Sequence, residues 1–270
     1  MTTVQIQRDS LLTPFLIMLQ GGVPFRTLID IGCADGTYSL DFLKLIGAPA
    51  TICNIDANSS YEPSLARIQS ALGGHYRICA VSAFNGRINL TAGTHEYWTT
   101  VGGATAGGNT VECRTLDSLC EELGLRGPYF VKMDIEGAEL AAVLGAERTL
   151  ADTAGLLLEA NVYYGPHSGG KFADVDAFLS ARGFSLFDLV NMGHRPSDNA
   201  LYQVYAAFLN TRYEFRDRTT SYAGVEAKAE EAMRARRSAL LARNDQLIAE
   251  LLAAKDPPRQ EPGAPSTGGA

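Results

Sequence analysis

Leu28-Ile29-Asp30-Ile31-Gly32-Cys33-Ala34-Asp35-Gly36-Thr37-Tyr38-Ser39-Leu40 reads as an apolar strand that runs into a glycine-containing turn and then a helix. Gly32 and Gly36 let the backbone adopt conformations closed to residues bearing a Cβ and approach a ligand closely, and the helix N-terminus offers free N–H groups to an anion. The third glycine of the dinucleotide-binding fingerprint is missing, and Asp30 and Asp35 at the turn would repel pyrophosphate, which sets a dehydrogenase aside. A merely tight strand-to-helix turn is the plainer alternative.

Outward from this turn, from about Thr27 to Asn210, short apolar runs alternate with amphipathic helical segments, the pattern of a parallel sheet covered on both faces. Strands are expected near Thr27–Ile31, Ala50–Ile55, Tyr76–Val81, Tyr129–Met133, Gly155–Glu159, Ser185–Val190 and Leu201–Leu209. The expectation is a doubly wound α/β fold with a seven-stranded sheet. Between Ala83 and Thr115 the rhythm breaks: Arg87–Thr91 and Thr110–Arg114 look like extra strands around a glycine-rich loop, an inserted β-hairpin. Ser118 followed by Glu121 suggests a capping box opening the next helix, with Gly124 near its end.

Four segments follow: residues 1–26 with a helix beside the fold, a catalytic domain at 27–212, a charged helical tail at 213–256, and a disordered end at 257–270. The tail turns rich in Ala, Glu, Arg, Lys and Leu, and Val225–Ala254 reads as one long helix. Met233, Leu240 and Leu247 recur at sevens, so a lone surface helix stands beside a coiled coil that would join a second copy or a partner protein.

Composition narrows the function classes. With 46% hydrophobic residues in 270, the chain can bury a substantial core, and its net charge of −7 argues against nucleic acid as a partner. No apolar run is long enough to span a bilayer and no leader-like start is evident, so a cytoplasmic protein is expected. The five cysteines are widely spaced without a CxxC pair and are expected as buried, reduced thiols.

The second strand ends at Asn54-Ile55-Asp56, roughly 20 residues after the glycine turn, where an acid can accept hydrogen bonds from both hydroxyls of a ribose. Turn and acid together favour an adenosyl ligand, with Ala80 and Val81 passing near the adenine. The most specific segment is Val131-Lys132-Met133-Asp134-Ile135-Glu136-Gly137-Ala138-Glu139-Leu140, followed by Val143-Leu144-Gly145-Ala146 and preceded by Thr115-Leu116-Asp117-Ser118-Leu119. With the Asp30–Leu40 turn, these blocks closely resemble the FkbM family of S-adenosylmethionine-dependent methyltransferases, over about Leu28 to Leu209.

The resemblance implies a class I methyltransferase (Rossmann-like) fold, S-adenosylmethionine as donor, and O-methylation of a hydroxyl on a sugar, glycan or natural product. By motif position Asp30, Gly32, Asp35 and Gly36 are expected as cofactor contacts and Asp56 as the ribose acid. Where many relatives show Glu-x-His at the fifth strand, this chain has Glu159-Ala160-Asn161, a departure that speaks against a histidine-based mechanism there.

Methyl transfer needs the acceptor oxygen aligned and its proton removed. Asp134, Glu136, Glu159 and Asn161 would gather at the carboxyl edge of the sheet, with the three acids as catalytic candidates. Clustered acids raise one pKa toward a useful base or call in a cation. Asp134, Glu159 and Asn161 are also similar in position to metal ligands of catechol-type O-methyltransferases and would suit Mg²⁺ if a metal is used. Glu139 can instead cap its helix or pair with Lys132. For the acceptor, Asn161, His95, Trp98, Tyr163 and His194 are candidates, with Tyr164 and His167 close by, against ordinary roles in loops and core. Two other functions stay open: an N-methyltransferase, which would normally carry an Asn/Asp-Pro-Pro-aromatic motif after the fourth strand, and a noncatalytic adaptor binding a partner through the tail.

Overall fold

The central strands sort their side chains by alternation. In a strand successive residues face opposite sides, and here Ile29, Val131 and Leu156 enter the core on one face of the sheet while Leu28, Phe130 and Leu157 enter the core on the other. Both faces therefore need cover, and helices supply it.

The computed structural model describes residues 10–47, 50–92, 99–102, 109–163, 170–216, 234–246 and 248. Helix α1 (Thr13–Gln20) precedes β1 (Thr27–Ile31), α2 (Thr37–Ile46), β2 (Thr51–Asp56), α3 (Glu62–Leu72) and β3 (His75–Ile78). Then β4 (Ala80–Val81), β5 (Gly86–Ala92), β6 (Thr99–Gly102) and β7 (Asn109–Arg114) lead to α4 (Leu116–Glu122) and β8 (Tyr129–Met133). The chain continues through α5 (Glu139–Leu144), α6 (Glu147–Ala151), β9 (Thr153–Asn161), α7 (Phe172–Ser180), β10 (Phe184–His194) and β11 (Leu201–Asn210).

The main sheet has seven strands in the order β10-β11-β9-β8-β1-β2-β3, parallel except for β11, which runs antiparallel to both neighbours. This is the doubly wound arrangement the sequence implies. After β1 the chain builds outward through β2 and β3, then crosses back to β8 on the other side of β1. That reversal opens a crevice at the carboxyl ends of β1 and β8. Phe15 of α1 stacks on Phe130 with ring centres 4.4 Å apart, and Phe42 of α2 meets both rings edge-on. These rings fix α1 and α2 on the sheet.

Three local expectations change. The single third strand divides: His75–Ile78 stays in the main sheet, while Ala80–Val81 joins a second sheet as β4, paired in parallel with β7. The inserted hairpin is present as the antiparallel pair of β5 and β7, and β4 and β6 enlarge it to four strands in the order β4-β7-β5-β6. The cap of α4 is Thr115, whose hydroxyl oxygen accepts the Ser118 N–H at 3.1 Å; Ser118 lies inside the helix. Thr115 wins because it holds the extended backbone that an N-cap requires.

All five cysteines are free and buried. The chain divides into two compact units, Met1–Phe215 and Arg216–Ala270. In the second, residues 234–246 are helical and exposed throughout, with Leu240, Leu241 and Ile248 each at least half exposed. Among the described residues no helix is long and apolar enough to cross a membrane.

Candidate active site

The glycine turn owes its shape to its neighbours in the protein. Gly32 has φ +68°, and a Cβ there would lie 1.8 Å from the Asp134 carbonyl oxygen; at Gly36, with φ +84°, it would lie 2.6 Å from Ile68. The ends of β1 and β8 can touch only with glycine at position 32, and at position 36 the left-handed backbone favours glycine.

Beneath the turn runs a buried polar row set by register: Asn54, Asp30 and Lys132 are neighbours across β2, β1 and β8. The Ser39 hydroxyl sits 2.7 Å from Asn54 Oδ1 and 3.2 Å from Asp30 Oδ2. Lys132 Nζ donates to the Gly32 carbonyl at 2.9 Å and forms ion pairs with Asp30 at 3.3 Å and Asp134 at 3.5 Å. Burial alone would push the Lys132 ammonium toward neutrality, but the two carboxylates hold its pKa above the ordinary value. Asp30 thus serves this network in the interior.

Above the row lies a cavity of about 320 Å³. One end is walled by Ile55, Cys79, Ala80 and Val81, with Asp56, Asn58 and Tyr61 beside them. The other end carries Asp134, Glu136, Glu159 and Tyr205, and Gly32 lies between. Asp56 is nearly buried; its Oδ2 accepts the Ala34 N–H and its Oδ1 the Asn58 N–H, both at 2.8 Å. Those two bonds aim the carboxylate while leaving each oxygen able to accept again.

At the acidic end, Asp134, Glu136 and Glu159 each present an oxygen within 4.8 Å of the others. Glu136 sits in a strained left-handed conformation, φ +55°, at the tip of the loop between β8 and α5. Glu139 secures that loop: its Oε1 accepts the N–H groups of Ile135 at 3.1 Å and Gly137 at 3.3 Å. Burial and the Asp134 charge raise Glu136 to about 7. Burial, with Asp134, Glu136 and Glu139 around it, raises Glu159 to about 10. Tyr205, opposite Glu159 in the pairing of β9 with β11, donates its hydroxyl to Asp134 Oδ2 at 2.7 Å.

Of the residues singled out from sequence, Gly32, Asp56, Ala80, Val81, Asp134, Glu136 and Glu159 share this one cavity. Asp30, Asp35 and Gly36 do not line it. Asp35 is exposed and accepts the Thr37 N–H, the first of α2, at 3.0 Å. Asn161 also stands outside the lining, and the acids whose oxygens lie within 4.8 Å of one another are Asp134, Glu136 and Glu159. Asn161 pairs with Gln203 one turn of the strand pattern beyond Glu159. Tyr163 is exposed under the Arg195 guanidinium, 5.0 Å from its ring centre, and His194 is exposed at the end of β10. His95, Trp98, Tyr164 and His167 lie outside the described residues. Sequence reasoning missed Tyr205, Asn58 and Tyr61. Only the register of β11 against β9 singles out Tyr205.

The chain matches the methyltransferase FkbM domain over residues 30–186. It is similar to the 2-O-methyltransferase NoeI of Sinorhizobium fredii (strain NBRC 101917 / NGR234), with 29% identity over 155 residues, 48% of this chain and 61% of that protein. The chain thus spans less than two thirds of that relative's length. Among solved structures it is similar to magnesium protoporphyrin IX methyltransferase (ChlM) of Synechocystis PCC 6803 with bound SAM, at 17% identity and TM-score 0.38, covering 74% of this chain and 79% of that one. Aeropyrum pernix fibrillarin with natively bound S-adenosyl-L-methionine matches at 14% identity and TM-score 0.39, covering 71% and 73%.

Proposed function

Because this chain belongs to the FkbM family of methyltransferases, we propose that it binds S-adenosylmethionine in the cavity at the carboxyl edge of the main sheet and methylates a hydroxyl oxygen of a sugar, glycan or other small molecule. The observation that carries this reading is the polarity of one continuous cavity. The apolar wall of Ile55, Ala80 and Val81 beside the Asp56 carboxylate suits an adenosine, and the three acids at the far end suit a cation. NoeI, by its name a 2-O-methyltransferase, supports oxygen as the acceptor atom.

When bound, the donor supplies a methyl carbon already activated by a positive sulfonium. The protein's remaining tasks are to align the acceptor oxygen and remove its proton. Glu136 suits the second task, since a group held at about 7 is divided between base and acid near neutrality. Tyr205 and Lys132 fix Asp134 beside it. Glu159, raised to about 10, stays protonated at neutral pH and can donate a hydrogen bond.

The first test is titration calorimetry with S-adenosylhomocysteine on wild type and Asp56→Ala, followed by transfer of labelled methyl to a panel of sugar and natural-product hydroxyls. Losing the buried carboxylate should weaken binding by about tenfold or more, the cost of a charge-assisted hydrogen bond. A folded wild type that binds neither the donor nor its product would end this reading.

A further inference from the structure

Two donors converge on a single oxygen of Asp134. The Tyr205 hydroxyl donates to Oδ2 at 2.7 Å, and Lys132 Nζ lies 3.5 Å from the same atom. The backbone of Asp134 is fixed as well, because its N–H donates to the Ile31 carbonyl at 3.0 Å and its carbonyl fills the space that a side chain at Gly32 would need. Tyr205 lines the cavity and lies in a strand that is almost wholly buried from Val204 onward. It enters at the acidic end, away from Asp56 and the apolar wall.

We propose that Tyr205 is a positioning residue that clamps Asp134 Oδ2 and so holds this carboxyl group toward the sulfonium of the bound donor, making this end of the cavity a recognition site for that cation. The inference rests on the S-adenosylmethionine reading above. The chemistry separates it from a general role in binding. S-adenosylmethionine and S-adenosylhomocysteine share the adenosine, the carboxylate and the ammonium, and differ by one methyl and one positive charge at sulfur. A carboxylate directed at the sulfonium acts on the first ligand alone, whereas one directed at the ammonium acts equally on both.

The experiment is calorimetry with both ligands, in the presence of a chelator, on wild type, Tyr205→Phe and Asp134→Asn, with thermal unfolding of each protein as a check on folding. Tyr205→Phe keeps the ring and removes only the donor. It should leave S-adenosylhomocysteine affinity within about twofold of wild type and weaken S-adenosylmethionine about tenfold or more, the effect of losing one hydrogen bond to a charged group. Asp134→Asn should change the ratio of the two affinities in the same direction and by more. Equal weakening of both ligands, or an unchanged ratio in both folded variants, would overturn the proposal. A wild type that binds neither ligand has a different signature: it removes the cofactor reading, and this inference falls with it.

Discussion

At the scale of single residues, Glu159 shows how the fold uses position to set charge. A carboxyl on a solvated strand end would titrate near its ordinary 4.5, but burial beside Asp134, Glu136 and Glu139 raises it to about 10, and Glu136 and Glu139 each rise to about 7. A raised carboxyl contributes stability that is present below its unfolded pKa and lost as pH rises toward the folded value. These three glutamates therefore make the fold less stable between about pH 5 and pH 7, where the unfolded chain ionises them and the folded chain resists. Glu159→Gln keeps the size of the side chain and removes its share of this loss. Chemical denaturation at about pH 5 and about pH 7 should show a drop in the variant smaller than in wild type by on the order of 2–3 kcal/mol. Identical drops would mean that Glu159 is ionised in the folded protein.

Elements set where those residues stand. β8 carries Phe130 to one core and, three residues later, Met133 to the other, before delivering Asp134 to the cavity. Phe130 is fully buried and touches the rings of Phe15, Phe25 and Phe42. Phe130→Ala would leave a hole that α1 and α2 cannot fill, at a cost of about 3–5 kcal/mol measured by denaturant unfolding. Loss below about 1 kcal/mol would mean that α1 is able to collapse into the space. α5 shows the opposite economy: it is only six residues long, and its first residue, Glu139, spends its carboxylate on the loop that aims Glu136.

For the molecule as a whole, the division at Phe215 matters most. Phe187 and Phe215 rings lie 5.9 Å apart, and Gly21 has room for Phe215 only because it lacks a side chain, so the first unit closes on itself just before the charged tail begins. A chain cut after Asp217 should keep S-adenosylhomocysteine affinity within about twofold of full length, since every residue lining the cavity lies before that point. Loss of a larger assembly in gel filtration, with binding retained, would assign the tail to association. Loss of binding would show that the tail completes the site.

Alternation of apolar runs with helical segments was enough to specify the doubly wound sheet, because a parallel sheet buried on both faces leaves that periodic trace in any one chain. The glycine turn, Asp56 and the block from Lys132 to Leu140 were legible too, since close backbone approach and strand-end acids demand particular residue types at particular spacings. Three matters were decided only in three dimensions. Asp30 looked like a ligand contact, but the register of β1 against β8 places it opposite Lys132, where an ion pair claims it. Asn161 stood in sequence as a partner of Asp134 and Glu159, and only the strained loop shows that Glu136 comes within reach of both. Tyr205 was one more aromatic in an apolar run until the antiparallel pairing of β11 set it against Glu159. Spacing along a chain fixes which elements form; which side chains meet depends on register and loop conformation, and those are settled when the elements pack.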